Sequence, residues 1–398
     1  MKAKKIFLTL TVQIIVVISI LILIEIISFF ILKNSEINTQ KYFVDLPSYI
    51  ASKPAPFYGV NDFDQVKEQY TKKASRCRGK IIYNKSDGFP EYSKRNFNCY
   101  GETLENGLRQ TNYQPNNYNR RVLVFGGSTL WGSGSANRNS IPSLIQKKLN
   151  EIRPNEYIVF NYGFTTVNIT QQLNKLKSLE IEENDIVIFY DGGNDAYQGI
   201  VNENPNGSII GFNQNNKKDI YVQNIKYFLG VHSNAYKILS NIKAKKGNKN
   251  LKRAKRLAEC PENTEGRTKQ LIKNSFDVYQ NKILEANNYV LRSKGTFFHF
   301  LQPSLWYRNN ELSEYEKVLL TQTPLGINSC KLYLQRMQEG YQFFHNSYNK
   351  MQTEYTNNLI DAFNPIKTKE EYYIDSLHVS SKGNEVIKNE IVKTILEK

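Results

Sequence analysis

Four short stretches of this sequence carry side chains that could act together in acyl transfer. Ser128 follows Gly126 and Gly127, and Gly163 closes the triplet Asn161-Tyr162-Gly163. Asn194 lies in Gly192-Gly193-Asn194-Asp195, and Asp375 stands three residues before His378. A hydroxyl nucleophile needs a base within hydrogen-bond reach, and the base needs a carboxylate that orients it. Ser128, His378 and Asp375 are the candidates for these roles. A tetrahedral oxyanion needs preorganised donors. The N–H groups of Ser128 and Gly163 and the side-chain amide of Asn194 are the candidates there. Alone, a Gly-Gly-Ser is commonly a turn and a Gly-x-Asn-Asp a capped helix start. Their order along the chain makes the combination specific.

These residues need a scaffold that brings them to one edge. Residues 121–125, 157–160, 185–190 and 295–301 read as buried strands, and 358–361 as a weaker fifth. The first three end at Ser128, Gly163 and Asn194. Helical spacing recurs over 141–150, 168–179, 219–242 and 267–293. Strands alternating with helices predict a parallel sheet with helices on both faces. Ligands of such sheets bind beyond the carboxyl ends of the strands, where the candidate residues fall.

The four blocks resemble those of the SGNH hydrolases, the GDSL-like esterase and lipase superfamily, over roughly residues 121–395 without much of the insert. The resemblance implies a three-layer α/β/α, flavodoxin-like fold with a central parallel sheet of about five strands. It implies Ser128 as nucleophile, Asp375 and His378 as its partners, and Gly163 and Asn194 as oxyanion donors, with no cofactor. Two positions depart from the pattern. Gly127 stands where the family name has Asp, and Thr166 stands where many members have a second glycine.

Other residues compete less well. Asp191 and Asp195 come from the loop that presents Asn194, whereas Asp375 is tied directly to His378. His299 sits inside the apolar run Phe297-Phe298-His299-Phe300-Leu301 and reads as a core histidine. His232 and His345 have no motif beside them. Trp131 reads first as packing and second as a sugar platform. Trp306 and Tyr307, after Gln302-Pro303, are candidates to line a pocket. No C-x-x-C pair is present, so no metal site is expected.

Residues 6–32 are almost continuously apolar, interrupted chiefly by Gln13 and Glu25. About 20 such residues suffice to cross a bilayer, and a cleaved signal has a shorter apolar region. An uncleaved transmembrane helix is therefore expected over 6–32. Lys2, Lys4 and Lys5 precede it, which favours a cytoplasmic N-terminus and a catalytic domain outside the cytoplasmic membrane. The expected organisation is an anchor over 1–34, a stalk and irregular extension over 35–120, and a hydrolase-like domain over 121–398 with an insert near 199–294. Residues 243–256 hold eight basic and no acidic residues, and could meet anionic lipid or an acidic glycan.

The chain has 398 residues, 40% of them hydrophobic and 23% charged, which excludes a wholly disordered chain and a many-span membrane protein. The net charge of +16 suits an acidic surface or polymer. The outside placement disfavours nucleic acid. Of the cysteines, Cys77 and Cys99 are the first pair to expect in an oxidising compartment, by proximity, with Cys260 and Cys330 second. The expected function is a membrane-anchored serine esterase that removes O-acetyl groups from a cell-surface or extracellular polysaccharide. The alternatives are an O-acetyltransferase using the same triad, or a non-catalytic glycan-binding or assembly protein.

Overall fold

A computed structural model of the chain describes residues 77–79, 81–84, 86–99, 101–201, 265–307, 331–355, 358–361 and 372–397, with Gln13, Ser19, Ile20, Ile24, Glu25, Glu203, Leu312, Glu316 and Leu320. The expected span over 6–32 falls outside the described residues, apart from five of these positions. So do the helical stretch 219–242, the basic segment 243–256, His232, Cys260 and Cys330. Among the described residues, no helix is long and apolar enough to cross a membrane. The chain divides into two units, Met1–Asp45 with Asn216–Arg256, and Leu46–Asn215 with Leu257–Lys398. The second unit contains the candidate catalytic residues.

Ten strands and seven α-helices succeed one another among the described residues of this unit. Five short strands come first: β1 (Ile81–Tyr83), β2 (Pro90–Tyr92), β3 (Phe97–Cys99), β4 (Glu102–Glu105) and β5 (Leu108–Arg109). Then come β6 (Arg120–Gly126), α1 (Ser128–Trp131), α2 (Ile141–Ile152), β7 (Tyr157–Asn161), α3 (Ile169–Lys177), β8 (Ile186–Asp191) and α4 (Gly193–Ile200). The last are α5 (Glu265–Arg292), β9 (Thr296–Leu301), α6 (Lys331–Tyr355), β10 (Leu359–Asp361) and α7 (Ser381–Leu396).

The main sheet has eight strands in the order β10-β9-β8-β6-β7-β5-β4-β3. The segment from β10 to β7 is parallel throughout. Every residue of β8 is buried, as a strand covered on both faces must be. The helices that supply the cover fall into two packed groups, α2 with α7, and α3, α4, α5 and α6 together. Apolar side chains from both groups join those of the strands in one core, with Val122, Val124, Val187 and Ile188 at 0% exposure. At the amino ends of the strands Arg121 Nε donates to Asp185 Oδ1 at 2.9 Å, joining β6 to the turn before β8. The candidate functional groups gather at the opposite, carboxyl ends.

The parallel segment has the five strands expected, but the extension before it, expected to be irregular, adds strands of its own to the sheet. β5 pairs antiparallel with β7, and β4 and β3 continue antiparallel beyond it. These strands are two to four residues long, too short for periodicity to register. Their turns are legible in hindsight. Asn106 and Gly107, at φ 52° and 88°, form the two-residue connection of β4 to β5. An Asn-Gly pair suits such a turn because both central residues need positive φ. β1 and β2 form a separate antiparallel pair. A disulfide joins Cys77 to Cys99, the pairing expected first.

Arg109 ties this region to the rest of the sheet. It is 1% exposed and donates to Asn137 Oδ1, Trp131 O and Ser135 O at 2.9, 2.7 and 2.7 Å. It thereby takes up the Trp131 carbonyl at the carboxyl end of α1, and the Ser135 carbonyl in the turn that follows. Trp131 packs below it with Phe89, Tyr92, Leu104, Phe164 and Val167 in a second, smaller core.

Candidate active site

Three loops at the carboxyl ends of the sheet converge. The first leaves β6 through Gly127, and Ser128 opens α1. The second leaves β8 through Gly192, whose φ of 113° turns the chain sharply enough for Asn194 to enter α4. The third is the turn before α7, which holds Asp375 and His378. Ser128, Asn194 and His378 are each half-buried, whereas Gly127, Thr129, Gly193, Asp195, Leu377 and Val379 around them are buried.

Ser128 Oγ lies 2.6 Å from His378 Nε2. His378 Nδ1 lies 2.6 Å from Asp375 Oδ2. The second oxygen of Asp375 accepts the backbone N–H groups of Leu377 and His378, each at 2.7 Å. This turn explains the three-residue spacing: the carboxylate folds back onto the backbone that follows it and meets the imidazole of the same turn. An ionised Asp375 requires His378 to carry its proton on Nδ1, which leaves Nε2 to accept from Ser128. Burial works to raise the Asp375 pKa, but His378 and the three hydrogen bonds outweigh it and hold the carboxyl below its ordinary value. Burial works to lower the His378 pKa, and the neighbouring Asp375 carboxylate overrides it, so the imidazole titrates above its ordinary value.

Asn194 Nδ2 donates to Val167 O at 2.7 Å. One amide hydrogen is thus fixed and the orientation of the group is set. A Cβ on Gly127 would come within 2.6 Å of the same nitrogen, so the backbone just before Ser128 and the Asn194 amide are close neighbours.

Gly163 is placed differently from the expectation. Beyond β7, Tyr162 N–H donates to Val124 O and Phe164 N–H to Gly126 O. The alternation of an extended chain then turns the Gly163 N–H the other way, where Asn161 Oδ1 accepts it at 2.9 Å. A Cβ there would lie 2.8 Å from the Trp131 nitrogen, so the glycine serves the close passage of α1. Thr166, the other departure from the family pattern, has a φ of 66°, the left-handed region where a glycine would be unstrained.

Of the three aromatic candidates, Trp131 and Trp306 are buried, and Trp131 takes its first reading, as packing. Trp131 is 2% exposed, packed against Tyr92 and Phe164, and offers no platform. Trp306 is buried against Tyr341. Tyr307 is half-buried, with its ring 4.4 Å from that of His345.

The competing carboxylates are occupied elsewhere. Asp191 Oδ1 accepts from Tyr279 Oη at 2.8 Å and lies 3.0 Å from His299 Nε2, whose Nδ1 meets Tyr348 Oη at 2.8 Å. His299 is thus a fully buried core histidine in a polar network. Asp195 Oδ1 accepts the Ile169 N–H at the start of α3. Burial, with Asp191 nearby, pushes the Asp195 pKa well above the carboxylate range. Among the described residues no cluster of His, Cys, Asp and Glu could hold a metal ion.

No family model and no curated protein matches this chain. Among solved structures, it is similar to a lipolytic protein of the G-D-S-L family from Veillonella parvula DSM 2008, at 8% identity and a TM-score of 0.36, over 70% of this chain and 100% of that one. A lipase from a goat rumen metagenome is similar at 13% identity and a TM-score of 0.37, over 68% of this chain and 95% of that one. An acetylxylan esterase from Geobacillus stearothermophilus, solved as a catalytic mutant, is similar at 12% identity and a TM-score of 0.35, over 70% of this chain and 95% of that one.

Proposed function

We propose that this chain is a serine esterase of the SGNH type. The observation that carries the reading is the continuous hydrogen-bonded series Ser128–His378–Asp375, with both links at 2.6 Å. In the proposed reaction His378 Nε2 takes the Ser128 proton as Oγ bonds to the ester carbonyl carbon. The electron pair of the C=O bond moves onto oxygen, which the Ser128 N–H and the second hydrogen of the Asn194 amide stabilise. Collapse breaks the bond to the leaving alcohol, and His378 returns the proton to that oxygen. Water then attacks the acyl-enzyme by the same route and releases the acid. Asp375 holds the imidazole tautomer and offsets the charge that the ring gains. Gly163 has no part in this version, because its N–H is already bonded.

The proposed substrate is an O-acetylated polysaccharide outside the cytoplasmic membrane, with the domain tethered through residues 6–32. The apolar run, the lysines before it and the net charge of +16 support that placement and an acidic polymer. Passing the acetyl group to a glycan hydroxyl instead of water would need no change in the triad.

The test is treatment of the full chain with a fluorophosphonate probe, followed by peptide mapping. Label on Ser128, lost in His378→Ala, is expected. Label on another serine would remove Ser128 from the mechanism. Screening acetylated glycans and short-chain aryl esters, with and without a glycan acceptor, then separates hydrolysis from transfer.

A further inference from the structure

Gln302 is the first residue beyond β9 and is 3% exposed. Its Nε2 makes two hydrogen bonds. One runs to Thr129 Oγ1 at 2.8 Å and the other to Leu377 O at 3.1 Å. Thr129 follows Ser128 in the chain, and Leu377 precedes His378. Its backbone is clamped as well. Gln302 N–H donates to Asp191 O at 2.7 Å, and Tyr341 Oη donates to Gln302 O at 2.6 Å. Asp191 begins the loop that carries Asn194. One buried residue therefore touches all three loops that bring the proposed reacting groups together.

We infer that Gln302 is a positioning residue, whose amide sets the separation of the nucleophile and its base. This rests on the serine-esterase reading. The 2.6 Å contact between Ser128 Oγ and His378 Nε2 joins segments 250 residues apart in sequence. Proton transfer between them requires that distance to be held to a few tenths of an ångström, and misplacement by about 1 Å can cost 100-fold. A primary amide suits the task because its two N–H groups diverge in a fixed plane and can serve two acceptors at once. The Leu377 carbonyl is held on one side by this amide. Beside it, the Ser376 carbonyl accepts Ser304 Oγ at 2.9 Å and Leu305 N–H at 3.0 Å. The segment after β9 thus grips the His378 turn at two successive carbonyls. Of the two, the Gln302 contact continues to α1.

The test compares Gln302→Met, which keeps volume and removes both donors, with Thr129→Val, which removes one acceptor. In the full chain, Gln302→Met should lower kcat on an aryl acetate by about 10- to 100-fold and leave KM within about twofold, because the amide acts on group placement and not on substrate. Fluorophosphonate labelling of Ser128 should slow in proportion. Thr129→Val should show a smaller loss of the same kind. In a His378→Ala background, Gln302→Met should lower the residual turnover of the aryl acetate no further, since Gln302 then has no base to position. A purely structural role would lower thermal stability and leave the low-temperature kcat unchanged. That result in Gln302→Met overturns the inference while the labelled wild type still supports the esterase reading. If Gln302→Met does not fold, Thr129→Val decides, and wild-type turnover in it overturns the inference. Absence of Ser128 labelling in the wild type overturns both.

Discussion

Asp375→Asn separates the orienting role of Asp375 from its role in the fold. In the wild type, Oδ1 accepts two backbone N–H groups at 2.7 Å, and Oδ2 faces His378 Nδ1 at 2.6 Å. An asparagine must place its carbonyl oxygen where Oδ1 stands, because an NH2 there would meet two N–H donors. Its NH2 then faces His378 Nδ1. Two donors cannot share that contact, so the imidazole moves its proton to Nε2, and Ser128 meets an N–H instead of a lone pair. The base is lost while both bonds to the turn survive. The expected fall in kcat is about 10,000-fold, or roughly 5 kcal/mol. With the carboxylate gone, burial remains to act on the His378 pKa and should draw the acidic limb of the residual activity to lower pH. The assay is kcat and kcat/KM on 4-nitrophenyl acetate across pH, with circular dichroism as a check on folding. A folded Asp375→Asn protein within tenfold of wild type would refute the tautomer argument.

Asn194→Ala should reduce kcat by about 100- to 1000-fold with KM little changed, since its amide is proposed to act on charge that develops only in the transition state; steady-state kinetics decides. In the wild type, the raised His378 pKa should place the acidic limb of the rate profile above about pH 6.5, measured as kcat/KM against pH. Stability should vary in the opposite sense over that range. The His378 contribution is complete below its unfolded pKa and is lost as pH rises through the folded one, while that of Asp375 is present above its unfolded pKa and lost as pH falls through its lowered folded one. Denaturant midpoints across pH would show this. Arg109→Met should destabilise the fold by about 3–5 kcal/mol, because it leaves Glu102 buried with one charged neighbour fewer and strips donors from Trp131 O and Ser135 O; urea unfolding measures it.

The parallel strands were legible because each is a continuous apolar run ended by small residues. The expected strand over 185–190 is observed at Ile186–Asp191, and the helix expected over 267–293 is α5, Glu265–Arg292. The geometry at Asp375 and His378 followed from a local spacing. What escaped was either too short or too distant to leave a pattern. β3, β4 and β5 are marked mainly by the Asn106-Gly107 turn. α6 buries Met337, Tyr341, Phe344, Tyr348 and Met351, a helical stripe obscured by the polar character of tyrosine. Gly163 is ambiguous in sequence because a glycine at a strand end fits both an open N–H and a close backbone passage, and the bond to Asn161 Oδ1 favours the second. Gln302 had no signal, since its partners lie 173 and 75 residues away.

On the esterase reading, the 250-residue gap between Ser128 and His378 also bears on when the nucleophile is activated. A chain emerging from the ribosome presents its N-terminal part first, and distant contacts form late because long loops must close before they are rewarded. β6, α1 and β8 can assemble their local pairings with Ser128 and Asn194 already at the sheet edge. Until residues 372–397 dock and α7 packs on α2, Ser128 is an ordinary alcohol. On the esterase reading, Ser128 gains its base only once residues 372–397 have been made and have docked, and reactivity toward esters arrives with that contact.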